Sequence, residues 1–374
     1  MGKHIVFWLG RAHAPWDHQI ALDQGIGGSE LAALRLTSAL AALGYRVTVY
    51  ADIFNPDPEG FNPRWLPYQD DSFSEAMLAC DLLVSSRCPS LGLGARGRQA
   101  RGAPTWLWMH DLHAGADWGN VLGECFDKVI TLTAFAKERF CQYYPKVNRR
   151  KVDIIPNGVY PELFEPKVGE LFGDQHERLR LGREPLTIIW SSCPDRGLDR
   201  VLGMWHKITA FFPGAELHVY GDVHAWSRRA GLYGSSDQQL FARMLTHKFD
   251  ELLADQSSGV KFFGQVGQAE LAKAFRLAHV WFYPTSFEET SCITALEAQA
   301  AGTKIVCTAV GALPFTAPYA HFLPDWQPTT SWEIETIETI EGAIKTDVHV
   351  VKHLSSWKHV ARHWAASTEE ATCR

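Results

Sequence analysis

The chain has 374 residues, of which 46% are hydrophobic and 21% charged, and its formal net charge is −6. A chain of this length and make-up holds a folded core in about two domains, which excludes a disordered polypeptide. Mild acidity without a basic half excludes a protein that attracts nucleic acid through its overall field.

In chain order, HIVFWLG (4–10) is the first strand candidate, and its apolar run is too short for a signal-peptide core or a membrane span. SELAALRLTSALAALG (29–44) is predicted as a helix with Leu31, Leu34, Leu40 and Leu43 on one face and Gly44 as its stop. RVTVYA (46–51), DLLVSS (81–86), TWLWMHD (105–111) and KVITLT (128–133) read as strands, and TAFAKERFCQYY (133–144) as a helix ended by Pro145. KVDIIPNGV (151–159) reads as a strand entering a Pro-Asn-Gly turn. The polar stretch from Pro161 to Pro185 is the expected crossing between domains.

The alternation then restarts. LTIIWSS (186–192), AELHVYGD (215–222), VKFFGQV (260–266), HVWFYP (279–284) and KIVCTA (304–309) are strand candidates, with helical patterns between them. Arg228 to Ser258 reads as polar and helical, and SSWKHVARHWAAS (355–367) as a helix with Trp357, Val360, Ala361 and Trp364 on its apolar face. Two βαβ series predict an α/β protein of two doubly wound, Rossmann-like domains facing a cleft. The expected limits are 1–165 and 166–349, with a last helical stretch at about 350–374. No two of the eight cysteines are three apart, which excludes a CxxC motif and predicts reduced thiols. The whole reads as a soluble, cytoplasmic protein.

Four segments could carry chemistry. GIGGSE (25–30) fails the dinucleotide fingerprint because Glu30 stands at its sixth position, but Gly27 and Gly28 would let backbone N–H groups approach a phosphate. The plainer alternative is a helix capped by Ser29. SSCPDRGLDR (191–200) puts Arg196 just after a strand, at the edge where open α/β sheets bind ligands. An arginine there can neutralise a leaving phosphate, or merely pair with Asp195 or Asp199.

In YPTSFEETSCITALEAQAAG (283–302), a helix starting near Cys292 leaves Glu289 in the loop before it and Glu297 one turn in. The two carboxylates would then meet opposite ends of a ligand, with backbone N–H groups from Cys292 to Thr294 on a phosphate between them. The alternative for Glu297 is a capping box with Thr294. His110, in WMHDLH (108–113), ends a strand at the ligand-binding edge. The chain offers it no third partner at metal-ligand spacing.

Together these segments resemble the retaining GT-B glycosyltransferases of family 4, the glycogen-synthase-like class. The match follows their order: a GG loop, HD in mid-domain, IPNGV (155–159), the Arg196-Gly197 turn, YGD, FFGQV (262–266) and E-x7-E. The resemblance implies a hexosyltransferase-type enzyme that moves a sugar from a nucleotide-diphosphate sugar of the UDP or GDP type to a hydroxyl, without metal or cofactor. It implies an acceptor-binding N-terminal domain, to which a crossover helix at about 350–374 returns to pack through Trp357 and Trp364, and a donor-binding C-terminal domain. The implied catalytic residues are Glu289, Arg196 and His110. The implied donor-binding residues are Gly27, Gly28, Arg196, Arg200, Gly221, Phe263, Gly264, Val266, Glu289, Ser291, Cys292, Ile293, Thr294 and Glu297. Glu289 would hold sugar hydroxyls, Glu297 the ribose, and Phe263 to Val266 would lie beside the base.

Three positions depart from the family pattern. A second basic residue five before Arg196 is replaced by Ser191, which leaves the leaving group to Arg196 or Arg200. The usual Gly-Phe-Gly after the first glutamate is Thr290-Ser291-Cys292, and a glutamate after a GxLP-like turn is replaced by Phe315. The acceptor would be a glycan, a lipid-linked or a small-molecule hydroxyl, as in polysaccharide biosynthesis. Arg96/Arg98/Arg101 and Lys146/Arg149/Arg150/Lys151 suggest peripheral contact with anionic lipid at an inner membrane face, the alternative being solvated charge. Two other functions stay open: a nucleotide-sugar epimerase of the same fold, and a non-catalytic nucleotide-sugar-binding protein.

Overall fold

The computed structural model describes residues 2–12, 14–98, 102–115, 118–119, 121–164, 179, 182, 184–347, 351 and 354–372. The chain divides into two compact units. Unit 1 comprises Met1–Ala21, Ile26–Val159 and Ser355–Arg374, and unit 2 comprises Leu22–Gly25 and Tyr160–Leu354. Most of the expected crossing, 165–178, lies outside the described residues.

Unit 1 is built on seven strands: β1 (His4–Gly10), β2 (Arg46–Ala51), β3 (Arg64–Pro67), β4 (Leu82–Ser86), β5 (Thr105–Trp108), β6 (Lys128–Thr131) and β7 (Val152–Ile154). Their order is β3-β2-β1-β4-β5-β6-β7, with every pair parallel. The short, nearly continuous apolar runs are those of strands buried on both faces, and β4 and β5 are buried at every position. The order reverses between β1 and β4, so the carboxyl ends of these two strands form the topological switch point. β3 was not legible, because Arg64–Pro67 is too short to show a period.

Two expectations for this unit need correction. β7 ends at Ile154 rather than running to Val159, because Pro156 cannot donate to a ladder. Val159 instead bridges to Ser356, donating to the Ser355 carbonyl at 3.0 Å and accepting from the Trp357 amide at 3.2 Å. A Cβ on Gly158 would stand 2.7 Å from that amide nitrogen. The first long helix spans Gly28–Ala42 and buries Leu31, Ala32, Ala33, Leu36, Thr37 and Leu40. Leu43 lies past its end and is exposed and Leu34 is half-buried, so Ala32, Ala33 and Leu36 join Leu31 and Leu40 on the face that meets the core.

The helix Trp357–Thr372 buries Trp357, Val360, Ala361 and Trp364. The Trp364 ring lies 6.0, 5.7 and 5.4 Å from those of Phe7, Trp106 and Trp108, which belong to the central strands β1 and β5 of unit 1.

Unit 2 repeats the plan with β8 (Thr187–Ser191), β9 (Glu216–Tyr220), β10 (Val260–Gly264), β11 (Val280–Tyr283), β12 (Lys304–Thr308) and β13 (His321–Leu323). The order is β10-β9-β8-β11-β12-β13, again all parallel. Its switch point lies between β8 and β11. The polar stretch after β9 forms two helices, Val223–Tyr233 and Ser236–Ala254, the second opened by a Ser235/Gln238 capping box.

Candidate functional site

In unit 2 the two motif segments converge at the switch point. β8 ends at Ser191, and Cys193-Pro194 opens a single 3-10 turn that presents Arg196. Gly197 follows with φ +106, and a Cβ there would stand 2.8 Å from the Pro284 carbonyl oxygen. Only glycine lets this turn lie against the chain leaving β11. Arg196 Nη1 donates to Glu289 Oε1 at 2.9 Å, and its guanidinium stands 4.1 Å from the Phe287 ring centre. The partner is Glu289, not Asp195 or Asp199. Burial, the largest single influence, opposes the Arg196 charge, but Glu289 together with Tyr283, Cys193 and Asp195 outweighs it and raises the pKa, so the group is a permanent cation.

Glu289 is 5% exposed and its loop is clamped by backbone. Its carbonyl accepts from the Ala312 amide at 2.8 Å, and Gly311, at φ +64, would place a Cβ 2.5 Å from the Glu289 nitrogen. The Tyr283 hydroxyl, at the end of β11, donates to the same Oε1 at 2.6 Å and lies 3.2 Å from Ser192 Oγ. Tyr283 opens the segment read at 283–302 and Gly311 the GxLP-like turn before Phe315, but neither was given a role. The signal for Tyr283 was its place at the carboxyl end of a buried strand.

The helix Ile293–Ala301 begins directly after Cys292, which has left-handed φ 53 and supplies no side-chain cap. The Cys292 side chain therefore does not cap the first amides, at Ile293 and Thr294, and the helix dipole adds positive potential there. The Thr294–Glu297 capping box does not form, because Thr294 lies inside the helix rather than at its cap. Glu297 is 4% exposed and Ser291 is buried. Cys292 occupies a place where the resembling family has glycine, and a non-glycine residue in this region carries about 1–2 kcal/mol of strain. Burial, then the Glu289 charge, pushes its thiol pKa up.

Arg200 holds protein, not open space. Its Nη1 and Nη2 donate to the Pro284 carbonyl and Ser286 Oγ, each at 2.8 Å, with the guanidinium 4.4 Å from the Trp326 ring centre. It thus ties the loop after β11 to the helix after β8. On the other side of β8, the Gly221 amide donates to the Gly264 carbonyl at 2.8 Å. A register shift between Phe262 and Gly264 leaves Phe263 44% exposed, stacked on Tyr220 at 4.8 Å and 8°. Val266 follows, half-buried.

Unit 1 has a separate cluster at its own switch point. Arg87, directly after β4, has φ 61; its Nε donates to Asp111 Oδ2 at 2.7 Å and its Nη1 to Ser29 Oγ at 3.2 Å. Gly27 and Gly28 are exposed. Gly27, not Ser29, is the N-cap of its helix. His110 packs on Trp108 at 4.3 Å, and burial together with Arg87 lowers its pKa to about 3, so its imidazole is neutral at physiological pH. Arg87 was overlooked, although the rule that selected Arg196 selects it equally, and Asp111 was read only as part of the HD pair.

Among the described residues no group of three His, Cys, Asp or Glu is placed to hold a metal ion, and no helix is long and apolar enough to cross a membrane. Of the second basic cluster, Arg149 pairs with Glu138, and Lys151 donates to the Gly123 and Phe126 carbonyls at 3.0 and 3.1 Å. The side chains of Arg96, Arg98 and Arg101 lie outside the described residues.

Residues 26–163 match the family model described as Glycosyltransferase Family 4, and residues 188–318 the one described as Glycosyl transferases group 1. This chain belongs to the family 4 glycosyltransferases of GT-B fold. A D-inositol 3-phosphate glycosyltransferase of Segniliparus rotundus is 28% identical over 193 residues, 50% of this chain and 38% of that protein. One of Streptomyces scabiei is 47% identical over 190 residues, 50% of this chain and 40% of that protein. The matches thus span well under half the length of these curated relatives. Among solved structures, HepE of Anabaena in complex with UDP and glucose has TM-score 0.68 at 14% identity, covering 98% of this chain and 100% of its own. Sucrose-phosphate synthase of Thermosynechococcus elongatus has TM-score 0.65 at 16% identity, covering 99% of each chain.

Proposed function

We propose that this protein is a retaining, metal-independent glycosyltransferase that moves a sugar from a nucleotide-diphosphate sugar to an acceptor hydroxyl. The observation that carries the reading is the Arg196–Glu289 pair at the switch point of unit 2, beside the first amides of the helix Ile293–Ala301. A permanent cation and a helix N-terminus suit a diphosphate. A nearly buried carboxylate beside them suits sugar hydroxyls, Glu297 suits ribose hydroxyls, and the exposed Phe263 face suits a base. Family membership and a neighbour solved with UDP and glucose support a donor of the UDP or GDP type.

In the proposed reaction the bond from the anomeric carbon to the diphosphate oxygen breaks and its electrons leave with the diphosphate. Arg196 and the helix amides stabilise that charge. The acceptor oxygen bonds to the same face of the anomeric carbon, and its proton passes to a leaving phosphate oxygen. Arg200, committed to Pro284 and Ser286, acts by holding the Glu289 loop. Unit 1, with Arg87, His110 and Asp111, takes the acceptor: a glycan, a lipid-linked or a small-molecule hydroxyl.

Replacing Glu289 or Arg196 with alanine is expected to lower transfer about ten-fold or more, with far-ultraviolet circular dichroism unchanged. Full activity in both variants refutes the assignment. Donor conversion without any acceptor would instead mark an epimerase.

A further inference from the structure

Glu289 Oε1 accepts two hydrogen bonds, and their donors differ in kind. Arg196 is one-third exposed at its side chain and lies on a flexible stem over Phe287. Tyr283 is fully buried, its ring stacked on Trp281 at 4.6 Å and 18° and tilted against Trp190 at 5.4 Å. The single Tyr283 hydroxyl proton goes to Glu289, so Ser192 Oγ must be the donor across the 3.2 Å contact with Tyr283. The result is a directed chain, Ser192 to Tyr283 to Glu289. It ends on Oε1, and Oε2 takes neither bond.

We infer that Tyr283 is a positioning residue for Glu289: its hydroxyl keeps the carboxylate aimed at the donor sugar when Arg196 turns from Glu289 to the diphosphate. The inference rests on the reading of unit 2 as a nucleotide-sugar site. An arginine that must serve both a carboxylate and a diphosphate cannot also fix the carboxylate's orientation, since its bond weakens when the anion arrives. A buried phenol can, because packing against Trp281 and Trp190 holds its ring in place. Burial and the Glu289 charge raise the Tyr283 pKa well above its ordinary value, so it remains a donor.

The test compares the full-length wild type, Tyr283→Phe, Glu289→Ala and the double variant by titration calorimetry. The ligands are UDP, GDP, UDP-glucose and GDP-mannose. The readout is the ratio of nucleotide-sugar affinity to nucleoside-diphosphate affinity. Tyr283→Phe is expected to leave nucleoside-diphosphate affinity within about two-fold and to lower nucleotide-sugar affinity about ten-fold, the effect of one hydrogen bond to a charged group. In the Glu289→Ala background it is expected to cost nothing further, because it acts only through that carboxylate.

Equal losses for both ligand types, no loss for either, or a further loss without Glu289 would overturn the proposal. A wild type that binds none of the four ligands refutes the underlying reading of unit 2, an outcome visible before any variant is made. If Tyr283→Phe does not fold, Ser192→Ala replaces it: a smaller loss of the same pattern is expected, and an unchanged affinity ratio overturns the proposal.

Discussion

At the scale of single residues, neutrality matters as much as charge. His4 is buried in β1, with Nδ1 2.8 Å from Arg46 Nη2 and Nε2 2.9 Å from Thr48 Oγ1. Arginine can only donate, so Nδ1 accepts and Nε2 carries the proton. Burial, then Arg46, lowers the His4 pKa to about 4. The unfolded chain regains an ordinary histidine near 6.5 and takes up the proton first as pH falls. The His4 contribution is therefore fully present above pH 6.5 and is lost between 6.5 and about 4, at up to ~1.4 kcal/mol per pH unit. Thermal melts at pH 7.5 and pH 5 check this: the gap between wild type and His4→Asn is expected to narrow at the lower pH. Much of the candidate site was legible at this scale, since Arg196 and Glu289 sit in short motifs beside a strand end. The contacts of Tyr283 and Gly311 were not, because a hydroxyl bond to a residue six positions further on and the packing of a turn onto Glu289 are set by the fold and not by local composition.

At the scale of elements, periodicity marked the strongly amphipathic helices and was weaker for helices rich in alanine. The structure buries all four apolar positions read in the C-terminal helix, and Ser367 and Thr368 with them. In Gly28–Ala42, alanines on several sides blurred the stripe, and Leu34 and Leu43 were misplaced. The C-terminal helix is an integral part of unit 1: Trp364 fills the space over Phe7, Trp106 and Trp108. Trp364→Ala should cost about 3–5 kcal/mol in denaturant unfolding. A loss under 1 kcal/mol would mean that the helix is a dispensable appendage.

At the scale of the whole molecule, each unit has its own parallel sheet and its own switch point. Two cores of this kind give calorimetric unfolding that departs from a single two-state transition. A nucleoside diphosphate should raise the transition of unit 2, because a ligand stabilises the folded form it binds. Differential scanning calorimetry with and without UDP or GDP reads this directly. A rise confined to the unit 1 transition would assign the nucleotide to the other sheet.

By itself the sequence determined that the chain is α/β, that strands alternate with helices in two series, and that the motifs follow the order of family 4. These are properties of local composition and of spacing along the chain, which need no knowledge of contacts. Only the tertiary structure decided that Arg196 faces Glu289 rather than Asp195 or Asp199, and that Arg200 is bound to Pro284 and Ser286. It also decided that Thr294 lies too far into its helix to cap it. Each of these is a choice among partners of similar chemistry. Such choices are settled by which strand ends lie side by side, and parallel strands joined through helices meet neighbours that are remote in sequence.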